Sequence, residues 1–305
     1  MTFPEKLQFN DTVGIIAPCS PVSPERVQQC EKYFESMGYS VLMGESTKHS
    51  LHGYLAGDAT LRANDLNSMF ANKKVKAIFC IRGGYGGNQL MELLNYRLIR
   101  NHPKTFVGYS DITSFHLAFH TLCNMVTFHG PMVSSNILDD FDDYTSSSLF
   151  NALNMSCHLR FCNPSSEEIK VIAPGCAYGL IIGGCLSLVS SAIGTFYQPD
   201  FRNKILFLED VDESLPRCDK MMQQLFHSGI MDQISGVILG DFLNCVNPYD
   251  NTYSIYDYFK ELFKNFPKPV MYNIRSGHCK PMATIPFGTV CRMNTYQRSI
   301  SFERE

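Results

Sequence analysis

The sequence has no window approaching the ~18 uninterrupted apolar residues that a membrane-spanning helix needs, and no stretch where Lys or Arg gathers into a run. The first absence argues against a helical membrane span, and the second removes the positive field that grips a phosphate backbone. Charges nearly balance, with 26 Lys and Arg against 29 Asp and Glu for a formal net charge of −3. Neither nucleic acid nor a membrane is expected as a partner.

The opening segment "MTFPEKLQFNDTVGIIAP" lacks the basic and apolar regions of a secretory signal, so a cytoplasmic location is expected. The 12 cysteines include no Cys-x-x-Cys pair, and Cys19, Cys80, Cys185 and Cys291 lie in apolar runs where a thiol behaves as a small hydrophobe. Reduced, mostly buried thiols are expected, without disulfides or zinc. There is no internal repeat and no low-complexity tract. What is present is a hydrophobic content of 45% over 305 residues, enough to bury two cores.

The first half alternates apolar runs with helical patterns. "TVGIIAP" (12–18) reads as a strand, followed by a helix capped by Ser23 with Pro24 in its first turn. The step recurs through "SVLMG" (40–44), a helix over 58–72, "KAIFCI" (76–81), a helix from about Asn88, "KTFVGY" (104–109), a helix from Asp111 and "VTFHGP" (126–131). Such alternation predicts a parallel sheet covered on both faces. After a helical segment near 143–155, residues 156–167 lose periodicity and read as a linker. Strands then follow at 204–210, 236–242 and 269–274 and in "TVCRMN" and "SISFE", with helices near 216–228 and 254–265. The expected fold class is α/β: an N-terminal parallel-sheet domain, flavodoxin-like, over 1–155, and a C-terminal strand-rich mixed domain over 168–305.

Ligands of open parallel sheets collect where strands end and helices begin. "APCSP", "RGGYGG" and "GYSD" all fall on that edge. In "GYSD", Ser110 sits between strand and helix, where a serine caps the helix or, beside the outward-facing N–H of Asp111, acts as a nucleophile. "RGGYGG" (82–87) lacks the Gly-Lys-Ser/Thr of a phosphate loop and reads as a tight turn or as a close backbone approach to substrate. His116 and His120 share metal-ligand spacing but lack the glutamate of His-Glu-x-x-His, so no metal is assigned. Taken alone, Glu209 in "LFLEDVDE" is a solvated strand end and His278 in "SGHCKPMATIPFG" a loop histidine. Together with Ser110 they supply hydroxyl, base and orienting carboxylate.

"YLAGDATLRANDLNSMF", "AIFCIRGGYGG", "FVGYSDIT", "TFHGPM", "LFLEDVDE" and "GHCKPMATIPFG", in this order, closely resemble the LD-carboxypeptidase family of serine peptidases, which includes muramoyltetrapeptide carboxypeptidases and microcin-immunity peptidases. The resemblance implies a Ser110–His278–Glu209 triad and an oxyanion hole made by the N–H groups of Asp111 and Gly84. It implies a site in the cleft between two domains, no cofactor, and a homodimer. Arg82 is a candidate partner for the substrate's terminal carboxylate. The expected substrate is a murein tetrapeptide losing D-alanine. The alternatives are a microcin-type peptide–nucleotide amide and, in another class, a small ligand bound without turnover. One departure is Cys185 in "GGCLS", where the family often carries an amide side chain.

Overall fold

The computed structural model describes residues 1–304 and divides into two α/β domains, each built on a mixed sheet. In the N-terminal sheet, Thr12–Ile16, Ser40–Met43, Val75–Cys80, Thr105–Gly108 and Thr127–His129 run parallel. Thr105–Gly108 is buried throughout and Val75–Cys80 nearly so, as expected of strands covered on both faces. Helix Pro24–Ser36 starts where Ser23 accepts from Arg26 N, with Pro24 at its first position, and helix Ala59–Ala71 starts where Asp58 accepts from Leu61 N.

Three expectations are corrected. The N-terminal sheet is not purely parallel, because Ile285–Phe287 from the C-terminal half adds antiparallel to Thr127–His129. The stretch 156–167 is not a plain linker. His158–Phe161 within it pairs with Ser299–Glu303, its short alternation being too brief to register as periodicity. The helix expected from Asn88 is a 3₁₀ segment, Gly87–Leu93, followed by a new helix, Tyr96–Asn101, which Asn95 caps by accepting from Leu98 N.

The C-terminal sheet has eight strands. At its centre, Cys176–Cys185 runs parallel to Ile205–Val211, which runs parallel to Gly236–Leu243. The long Cys176–Cys185 strand escaped the sequence reading because its glycines break the apolar alternation.

Aromatic packing on the helix Thr113–Cys123 anchors the end of the sheet that carries Ser110. Phe119 is fully buried, with its ring centroid 5.0 Å from Phe106 and 5.5 Å from Phe70. Each such ring contributes ~1.5–3 kcal/mol through burial. The domains meet through buried bonds: Cys185 N donates to Thr113 Oγ1 at 3.0 Å, and Met282 N donates to Thr145 Oγ1 at 3.0 Å. His129 packs between Tyr109 of its own domain and Phe207 and Phe287 of the other half.

Candidate active site

Ser110 follows the strand Thr105–Gly108 with φ of 64°, in the left-handed region that non-glycine residues rarely occupy. It is not a helix cap. Neither the 3₁₀ turn Ser110–Ile112 nor the helix Thr113–Cys123 receives a side-chain cap bond. The strand end beneath it is pinned, since the Gly108 carbonyl accepts from Gly130 N at 3.2 Å and meets His116 Nε2 at 2.9 Å. His116 Nδ1 is engaged by Thr127 Oγ1 at 2.8 Å, so both ring nitrogens of this buried histidine serve the core.

The glycine loop lies directly against this serine. A Cβ on Gly83 would fall 2.9 Å from the Ser110 Cβ, so only a residue without a side chain allows the approach. Ser20, from the loop after the first strand, fixes that loop from behind: its N–H donates to Gly83 O at 3.2 Å and its Oγ accepts from Tyr85 N at 3.1 Å. Gly84 is thereby held between two anchored residues. On the other side, the buried Asp111 carboxylate accepts from Gly87 N at 2.6 Å.

The C-terminal half supplies the other two groups. Glu209, near the end of the strand Ile205–Val211, is not a solvated strand end but is fully buried. Its Oε2 meets His278 Nδ1 at 2.7 Å, while its Oε1 is buried without a hydrogen-bond partner. Among the described residues the imidazole is therefore the carboxyl group's hydrogen-bond partner. Burial opposes the charged form of His278, but the charge and hydrogen bond of Glu209, with Asp210 and Asp241 adding to them, outweigh it and raise its pKa above the usual histidine value. Tyr109 covers the ring edge-on, with centroids 4.9 Å apart.

Ser110, Asp111, Gly84, Arg82 and His278 line one cleft of about 510 Å³, closed on the C-terminal side by Cys185, Ser187, Asp210 and Glu213. Arg82 is an exposed wall residue whose Nη1 reaches Pro21 O at 3.5 Å. Glu209 stands behind His278. Among the described residues no hydrogen bond joins Ser110 to His278; catalytic contacts of this kind often tighten only with substrate bound.

The sequence reading missed Ser20, Asp210 and Arg62. Arg62 left a signal: a cation inside a run that otherwise buries Ala63, Leu66, Met69 and Phe70.

Residues 13–130 match the model of the LD-carboxypeptidase N-terminal domain, and residues 178–293 match that of the C-terminal domain. The chain belongs to the LD-carboxypeptidase family. It is 37% identical over 302 residues to the "Probable murein peptide carboxypeptidase" of Bacillus subtilis, covering 98% of this chain and 94% of that protein. Among solved structures, an MccF-like protein from Bacillus anthracis superposes with a TM-score of 0.88 at 26% identity, covering 100% of both chains. The microcin self-immunity protein MccF in complex with glutamyl sulfamoyl guanosine gives a TM-score of 0.91 at 22% identity, covering 99% of this chain and 98% of that one. The ligands of the structural neighbours correct the expectation of a murein peptide partner. Three MccF structures similar to the chain hold glutamyl sulfamoyl guanosine, aspartyl sulfamoyl adenosine or adenosine monophosphate, rather than a murein peptide. Family-level serine-hydrolase and carboxypeptidase activity stands. As for membranes, no helix among the described residues is long and apolar enough to cross one.

Proposed function

We propose that this chain is a serine hydrolase that cleaves the amide-type bond joining an aminoacyl or peptidyl group to a nucleotide-like leaving group. The observation that carries this reading is the 2.7 Å His278–Glu209 bond, made by a fully buried carboxylate, on the wall of the cleft that Ser110 enters with a left-handed backbone. The aminoacyl–nucleoside ligands of the structural neighbours support the substrate class. The five parallel N-terminal strands, in the spatial order second, first, third, fourth, fifth, support the flavodoxin-like description.

The chemistry follows from the residues. With Nδ1–H donated to Glu209, the Nε2 of His278 carries the lone pair and serves as base. Ser110 Oγ attacks the acyl carbon as its proton passes to Nε2, and the carbonyl oxygen becomes an oxyanion received by the N–H groups of Asp111 and Gly84. Collapse expels the leaving-group nitrogen, which takes the proton from His278, and water then releases the acyl group by the same steps in reverse order. Glu209 holds the ring and stabilises the imidazolium. Arg82 faces an anionic group of the substrate, since a guanidinium matches carboxylate and phosphate geometry alike.

Substrate profiling tests the reading. Incubation with aspartyl sulfamoyl adenosine should yield free aspartate and the sulfamoyl nucleoside by mass spectrometry, with no loss of alanine from an L,D tetrapeptide under the same conditions. Release of D-alanine with the conjugate untouched would overturn the substrate class.

A further inference from the structure

Arg62 lies on the helix Ala59–Ala71 and is fully buried, although the reaction outlined above gives it no part. Its guanidinium ends on neutral oxygens. Nε donates to Gly57 O at 3.1 Å, Nη1 to Pro18 O at 2.8 Å and to Gly86 O at 2.9 Å, and Nη2 to Gln89 Oε1 at 2.7 Å. No carboxylate of the described residues forms a salt bridge with it. Burying a cation without an ionic partner is costly, and carbonyl dipoles offset that cost only when several converge in a fixed geometry. The convergence is therefore informative: one planar fork ties together the loop after the first strand, the turn before its own helix, and both the glycine loop and the 3₁₀ segment that follows it.

Two of the tethered segments bear on the proposed oxyanion hole. Pro18 lies two residues before Ser20, which holds Gly83 and Tyr85, and Gly86 adjoins Gly87, whose N–H is held by Asp111. Gly86 packs directly on its tether with no room for a side chain, since a Cβ there would stand 2.4 Å from Leu55 Cδ2 and 3.0 Å from Arg62 Nη1. A donor displaced by a fraction of an ångström loses much of its value in the transition state while barely changing ground-state binding.

Building on the function proposed above, we propose that Arg62 is a positioning residue for the reaction: it holds the Arg82–Gly87 loop where its backbone donors meet the oxyanion at Ser110. Arg62→Lys keeps the charge but not the fork, Arg62→Met removes both, and Gln89→Met removes one arm from outside. The readouts are kcat, KM, and the inhibition constant of an aminoacyl boronic acid that forms a tetrahedral adduct with the serine. For Arg62→Met, kcat is expected to fall ~10-fold or more, with KM within about 2-fold and boronate affinity weakened in parallel with kcat. Arg62→Lys should recover part of the loss, and Gln89→Met should give a smaller loss with the same split.

An unchanged kcat in folded Arg62 variants overturns the proposal, as does a loss confined to KM with boronate affinity intact. If the Arg62 variants fail to fold, Gln89→Met decides, and a wild-type kcat there counts against it. Ser110→Ala in parallel separates the two layers: turnover surviving that change sinks the catalytic reading itself, whereas its loss beside an indifferent Arg62 sinks only the positioning role.

Discussion

A Cβ placed on Gly277 would stand 2.5 Å from Oε2 of Glu209, the same oxygen that meets His278 Nδ1. Gly277 also has φ of 109°, which side chains rarely adopt. The loop carrying His278 thus closes over the carboxylate only because this position is bare. Gly277→Ala should push ring and carboxylate apart. We expect kcat/KM to fall ~10–100-fold, the scale of a misplaced catalytic group, with secondary structure by circular dichroism unchanged. Wild-type kinetics in the alanine variant would show that the contact is not needed.

The raised pKa of His278 fixes the sign of the pH dependence. As the proposed base it must be neutral, so activity should be lost as pH falls through a midpoint above ~6.5, the ordinary imidazole value. In Glu209→Gln the largest raising charge is gone while burial still opposes the charged form, so the midpoint should move to lower pH while kcat drops. The stability linkage has the opposite sense. A histidine whose folded pKa is raised contributes stability that is present below its unfolded pKa and is lost as pH rises through the folded one. Kinetic profiles and melting curves measured together check both.

Thiol reactivity should follow burial. Cys157, Cys162 and Cys176 are exposed, whereas Cys185 is buried on the cleft wall, where burial, and then the charges of Glu209 and Asp210, push its thiol pKa far up. Brief alkylation of the native protein should mark the three exposed residues before Cys185. Preferential marking of Cys185 by mass spectrometry would contradict this account of the cleft.

A control away from the cleft separates stability from chemistry. Phe119→Ala removes a ring packed on Phe70, Phe106 and Phe115 and should cost ~3–5 kcal/mol of stability. The folded fraction should keep a near-normal KM, read by denaturant titration alongside kinetics.

Much of this was legible in the sequence, for identifiable reasons. The parallel strands announced themselves because strands buried on both faces are continuous apolar runs, and Ser23 marked a helix start through its side-chain chemistry. Tertiary pairing stayed hidden. Nothing local in Ile285–Phe287 reveals that it crosses to the N-terminal sheet, or in His158–Phe161 that it finds Ser299–Glu303. At the site, residue types were legible but surroundings were not. The charged sequence around Glu209 suggests solvent, whereas the fold buries it behind His278. At Ser110, where the sequence allowed either a cap or a nucleophile, the structure has a left-handed backbone packed against the glycine loop and no cap bond.

The central claim, that the Ser110 hydroxyl is the nucleophile, is tested most directly by the kcat/KM of Ser110→Ala with aspartyl sulfamoyl adenosine. A fall of at least ~10³-fold in a protein that still melts cooperatively is predicted, since removal of a nucleophile leaves only residual catalysis from binding and oxyanion donors. Turnover within a few-fold of the unaltered protein would contradict it.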